Sequence, residues 1–266
     1  MNQNLNNIGL VVGLAIASSC FAQAGTGGSI TSGNVNFTIA DYLGNGTGSG
    51  PTSNLNVGGT GNPDHVQAAW WWFRLAGDNR ESSFSNATSA SYAGAQARVD
   101  YSYASFDATM IWRVTGFGSG RGLLTQTMTI RNTSSEAIVI QLFNYNDLAV
   151  GGTDGNDAAT QIASNTIRAD DAGNTGWKIA YEGTDVFDVT GGSVDVLNLL
   201  TDTNVDALGN RGLPVGGGSF KAAYQWTITL NPNEAATASS TLTITPTPGA
   251  LALLGLGGLA VARRRR

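Results

Sequence analysis

The sequence predicts an all-β protein, an antiparallel β-sandwich, and three observations carry that reading. Apolar residues recur with a period of two along most of the chain. Clusters of Gly, Asn, Asp and Pro separate those runs at the spacing of turns. Helical periodicity is nearly absent between residues 25 and 245, so a sandwich body is expected to be flanked by an N-terminal signal helix and a C-terminal transmembrane helix.

The elements follow in order. Residues 29–39 alternate through Val35, Phe37 and Ile39. Residues 43–63 are rich in Gly, Asn, Thr and Ser and read as a long surface loop. Residues 98–103 alternate through Val99, Tyr101 and Tyr103, and residues 106–114 place Phe106, Met110, Trp112 and Val114 on one face. In residues 124–130, Leu124, Met128 and Ile130 oppose Thr125, Thr127 and Thr129. A turn over 131–136 then leads to the continuous apolar run 137–143, the pattern of a central strand covered on both faces. Near the end, Tyr224, Trp226, Ile228 and Leu230 alternate, residues 231–233 turn, and Leu242 and Ile244 form the inward side of a last strand. Runs 124–130 with 137–143, and 222–230 with 236–244, are expected to pair. Such runs resemble those of bacterial surface and carbohydrate-associated sandwiches, a likeness that implies a sandwich and no activity.

Composition narrows the function. The chain has 14 Lys and Arg against 19 Asp and Glu, and only 12% of residues are charged. Setting aside Arg263, Arg264, Arg265 and Arg266 makes the remaining body more acidic still, which argues against a nucleic-acid partner. The one cysteine, Cys20, lies near the N-terminus, so the body from residue 25 has neither disulfide nor thiol.

Both ends carry addressing signals. Residues 8–17 have the length of a signal-peptide apolar core, and Ala22-Gln23-Ala24 fits a small-residue cleavage rule, with cleavage after Ala24. Cys20 opens a lipoprotein alternative, with Ala17 where a lipobox commonly has leucine. At the other end, residues 246–266 form three blocks. Pro246, Thr247 and Pro248 break the last strand; residues 249–262 are uncharged and apolar; Arg263, Arg264, Arg265 and Arg266 form a cytoplasmic stop. The apolar block makes a helix of roughly 21 Å, short of a hydrocarbon core of roughly 30 Å, which suits a temporary hold.

That three-block tail resembles the PEP-CTERM sorting signal of bacteria, with Thr247 where the signal carries glutamate. The resemblance implies an exosortase-type processing enzyme as partner, a tether in the inner membrane through the tail, and a destination at the cell surface or outside the cell. The domain reading is therefore a signal peptide at 1–24, a sandwich at 25–245 and a sorting tail at 246–266.

Three features could carry chemistry in the body. Trp70 and Trp72 alternate with Trp71 and Phe73, and either face could be core. If one face is open, Trp70 and Trp72 could stack on sugar rings while Arg74, Asp78, Arg80 and Glu81 bond hydroxyls. Asp154, Asn156 and Asp157, following residues 144–147, could hold Ca²⁺, although the spacing is no EF-hand and fits ordinary turns equally. Catalysis finds little footing: His65 is the only histidine, no nucleophile motif surrounds a serine, and scattered acids nominate no pair. The leading expectation is thus a non-catalytic structural or adhesive sandwich of the envelope or extracellular matrix, without a cofactor. The alternative is a carbohydrate-binding or carbohydrate-processing domain using residues 70–80, with extracellular polysaccharide as its partner. Mass spectrometry of the exported protein tests the tail: a C-terminus within residues 245–249 is expected, and an intact Arg266 contradicts processing.

Overall fold

The computed structural model describes residues 27–39, 52–58, 63–118, 120–171 and 176–247. Ala24, Pro248 and Arg263 to Arg266 lie outside the described residues, as do the signal segment and the apolar part of the tail. Among the described residues no helix is long and apolar enough to cross a membrane.

The described chain is nearly all β, in antiparallel sheets stacked as a sandwich. A small sheet comes first, from β1 (Gly28–Ser32), β2 (Val35–Ile39) and β3 (Ser53–Val57). The expected single strand over 29–39 is therefore a hairpin, turned at Gly33 with φ 56°. The expected loop over 43–63 contains β3, whose Ser53, Leu55 and Val57 point inward. Ser53 on the inner face, beside Asn54 and Asn56 on the outer one, hid that alternation.

Five strands form the second sheet, in the order β14-β16-β10-β4-β5. These are β4 (Val66–Leu75), β5 (Ser82–Ser83), β10 (Ile138–Leu148), β14 (Phe187–Val189) and β16 (Phe220–Leu230). The third sheet has nine strands, in the order β15-β11-β12-β13-β17-β9-β8-β7-β6. Its first part is β6 (Ser89–Ala93), β7 (Gln96–Ser102), β8 (Phe106–Gly118) and β9 (Arg121–Asn132). The rest is β11 (Asp157–Ala163), β12 (Thr166–Asp171), β13 (Trp177–Glu182), β15 (Val215–Gly218) and β17 (Ala235–Pro246). One short helix, α1 (Val196–Thr201), is capped by the Asp195 carboxylate, which accepts from the Leu197 and Asn198 N–H groups.

The expected pairings are corrected here. β9 pairs with β8 and β17, whereas β10 pairs with β4 and β16. The turns after β9 and after β16 therefore carry the chain from one large sheet to the other. Asn132 ties the two crossings together: its Nδ2 donates to the carbonyls of Glu136 and Leu230, and its carbonyl accepts from the Asn233 N–H. A tight turn and two apolar runs look the same for a hairpin and for a sheet-to-sheet crossing.

Large aromatic rings pack on both faces of β4. Trp70 stacks on Trp112 of β8 at 5.6 Å, Trp71 meets Trp226 of β16 at 5.4 Å, and Trp72 meets Tyr145 edge-on at 5.6 Å. The small sheet closes one side, with Phe37 against Trp112. Gly122 permits this approach: a Cβ there would come within 2.7 Å of Val35. Trp70→Ala should cost about 3–5 kcal/mol in urea denaturation. A loss below about 1 kcal/mol would show that the ring is not part of the packed core.

Candidate functional site

Strand β4 is covered on both faces. Trp70, Trp71 and Trp72 are all fully buried, which corrects the expectation of a stacking platform at Trp70 and Trp72. Residues 190–214 contribute to the covering of the five-stranded sheet. Within them Val196, Leu200 and Leu208 are buried, and the Leu208 N–H donates to Gln225 Oε1 at 2.8 Å.

Beyond the tryptophans, β4 ends in a polar site. Arg74 is nearly buried, and its guanidinium donates to Glu81, to Gln141 of β10 and to the carbonyl of Asp206. Three partners from three segments fix this fork in one orientation. Glu81 is buried, and burial raises its pKa against the hydrogen bond from the Asp206 N–H and the charge of Arg74. Burial likewise raises Asp206, with Asp202 adding to it.

Arg74 and Gln141 line a cavity of about 250 Å³ together with Leu75, Gly77, Asp78, Val139 and Val205. Asp78 is exposed, and its Oδ2 closes the turn by accepting from the Leu75 N–H at 2.8 Å. Val139 and Val205 are exposed apolar walls, 39% and 55% accessible. Of the expected ligand residues, the fold thus brings Arg74 and Asp78 into one pocket. Arg80 turns to the Thr201 carbonyl at 3.2 Å, and the two tryptophans belong to the core. Gln141, Val139 and Val205 were not legible as site residues, because they join the pocket only through sheet register and a distant loop.

The opposite end of β4 and β10 carries carboxylates. Asn144, Tyr145, Asn146 and Asp147 continue β10 and do not begin a calcium loop. The chain then makes a 3-10 turn, Val150–Gly152, with Gly151 and Gly152 at φ 73° and 81°. That conformation aims two N–H groups inward, Val150 to Asp157 Oδ2 and Gly151 to His65 Nδ1. Asp154 and Asn156 stay exposed while Asp157 is fully buried. Among the described residues no three His, Cys, Asp or Glu side chains are arranged to hold a metal ion. Of the calcium candidates, Asp157 is thus turned into the fold while Asp154 and Asn156 stay at the surface.

Burial pushes Asp157 up to about 7 against its Val150 hydrogen bond, and the carboxylates of Asp171, Asp154 and Asp147 add to the rise. Asp147 rises to about 6 through burial and Asp154, opposed by Lys221 at 3.7 Å. His65, buried edge-on against Trp177, falls to about 4 through burial. A carboxyl whose folded pKa is raised contributes stability at low pH that is lost as pH rises toward about 7. His65 works in the opposite sense, because only the unfolded chain takes up its proton as pH falls from about 6.5 to 4. Comparing Asp157→Asn with the unaltered protein isolates the first effect. The variant should melt higher at pH 8, by about 2–4 °C for each kcal/mol recovered, and the gap should close toward pH 4. A gap independent of pH would contradict the assignment.

No protein-family profile matches this sequence, and no curated protein matches it. Similarity appears at the level of the fold. The chain is similar to a galactose mutarotase related enzyme from Lactobacillus acidophilus, with TM-score 0.53 and 7% identity over 84% of this chain and 99% of that one. A galactose mutarotase-like protein from Clostridium acetobutylicum is found at TM-score 0.45 and 11% identity, over 82% of this chain and 95% of that one. The first likeness corrects the expectation of a non-catalytic structural or adhesive sandwich, and with it the expectation that the chain is no enzyme: its architecture is shared with a protein of sugar chemistry.

Proposed function

We propose that this protein is a carbohydrate-binding domain of the sugar-processing class, with its sugar pocket at the turn after β4. The clamped guanidinium of Arg74 is the observation that carries this reading. It forms a rigid polar surface at the pocket beside Gln141 and Asp78, while Val139 and Val205 offer apolar walls. A pyranose presents the same combination, hydroxyls at its rim and C–H groups on its faces, and a few fixed polar groups within an apolar recess give orientation and specificity. The cavity suits a single ring. The fold shared with a galactose mutarotase related enzyme supports the substrate class.

The addressing signals complete the proposal. An N-terminal signal peptide and the sorting tail, processed by an exosortase-type enzyme after a stay in the inner membrane, would deliver the domain to the cell surface or beyond. Extracellular polysaccharide is then the natural ligand. The body would need no cofactor for binding.

A glycan array followed by calorimetry tests the pocket. Asp78→Asn and Val205→Asp alter exposed side chains and should each weaken binding about tenfold or more without changing the melting temperature. Trp70→Ala should affect stability alone. Absence of glycan binding, or binding indifferent to both pocket variants, would overturn the proposal.

A further inference from the structure

The pocket at the turn after β4 does not end at Val139. A second cavity, of about 270 Å³, lies against it and is lined by Leu75, Ala76, Ser105, Ala137, Ile138 and Val139. Leu75, Ala76 and Val139 line both cavities, so the two share one wall. Val139 and Val205 are two of the four large apolar side chains exposed among the described residues. Exposed apolar residues scattered singly need no explanation. These two line one cavity, however, and Val139 carries the apolar surface on into the next.

Three hydrogen bonds frame the second cavity. The Ala76 N–H donates to the Val139 carbonyl at 2.9 Å, which pins the end of β4 on the start of β10. The Ser105 carbonyl accepts from the Thr133 N–H at 3.0 Å, tying the turn between β7 and β8 to the crossing that leads into β10. Beside Ala137, Asn132 Nδ2 donates to the Glu136 carbonyl at 2.7 Å. Both large sheets thus contribute to the frame, and a framed cavity loses little freedom on binding.

The two cavities differ in chemistry. The first offers Arg74, Gln141 and Asp78. The second is lined by no charged side chain, and Ser105 is the one polar side chain in its wall. A charged group placed there would lose water without gaining a partner, whereas the C–H face of a sugar ring would gain apolar contact.

We infer that the site takes two linked rings of a glycan chain, the first in the Arg74 pocket and the second, a neutral ring, packed by its C–H face against Ala76, Ala137 and Val139. This deepens the sugar pocket proposed above and rests on that reading. Cavities of about 250 and 270 Å³ suit one ring each, and the glycosidic link passes over their shared wall. The ligand is a neutral disaccharide unit of a polysaccharide, in preference to a free monosaccharide or a chain of uronates.

Calorimetry of the full chain tests this by comparing glucose with cellobiose and maltose, and galactose with galactobiose and digalacturonate. A neutral disaccharide should bind about tenfold or more tightly than its own monosaccharide. Ala137→Asp, at an exposed position of the second cavity, should bring the ratio of the two affinities down to about one. Val205→Asp, in the wall of the first cavity alone, should weaken both sugars and keep their ratio. Both positions are exposed, so both variants should melt with the unaltered protein. A monosaccharide bound in a Val205-dependent way, with disaccharides bound no more tightly, overturns the second subsite and leaves the first pocket standing. So does a disaccharide gain that survives Ala137→Asp. Digalacturonate bound more tightly than galactobiose overturns the neutrality of the second ring. Absence of binding by every probe, together with an empty glycan array, overturns the first pocket and this inference with it.

Discussion

The structure depends on a buried polar link between its two large sheets. Asn144, on the central strand of the five-stranded sheet, is fully buried, as are Gln126 and Asn146. Its Oδ1 accepts from Ser240 of β17 at 2.6 Å, from Tyr181 of β13 at 2.8 Å and from Asn146 at 3.0 Å. Its Nδ2 donates to Gln126 of β9 at 3.2 Å, and Gln126 donates in turn to Asn146 at 2.9 Å. Apolar layers can slide with little penalty. Amides and hydroxyls in a water-free interior cannot, because each displaced partner becomes an unsatisfied buried group. The network therefore fixes how the five-stranded sheet lies across the nine-stranded one.

The candidate site follows from that fixed alignment. β4 and β10 run antiparallel past Asn144, from Leu75 opposite Ile140 at one end to Val66 opposite Leu148 at the other. One end presents Arg74, Gln141 and Asp78 around an apolar-walled pocket. The other end carries Asp147, paired with Lys221 of β16. Gln141 and Asp147 lie six residues apart on β10, about 20 Å, so the two ends are separate in space while sharing one rigid pair of strands. A rigid strand pair holds its end groups in place better than loops alone, which is the requirement for recognising a small polar ligand.

Much of the fold was legible in the sequence, because period-two alternation is a local property. Phe106 to Val114 and Tyr224 to Leu230 lie in strands with the faces that alternation assigns. The partners of those strands were not legible. Asn132 and Asn233 sit in turns that a hairpin would use equally well, yet the chain crosses between sheets there. The site was only partly legible for the same reason. Arg74 and Asp78 stood out as polar residues after an aromatic run, but whether Trp70 and Trp72 were open depended on what covers them. Part of that cover comes from residues 190–214, and nothing in their pattern names β4 as neighbour. Asp157 read equally as a calcium ligand and as a turn residue, since only the pairing of β11 with β12 sets it, buried, opposite Asp171.

The alignment set by Asn144 is most directly tested by a double-mutant cycle with Gln126, using Asn144→Ala, Gln126→Ala and the double variant in urea denaturation. Contact between the two amides predicts a coupling of about 1–3 kcal/mol, the double variant losing less than the sum of the single losses. Strictly additive losses would contradict a cross-sheet network as the constraint that positions the sheets.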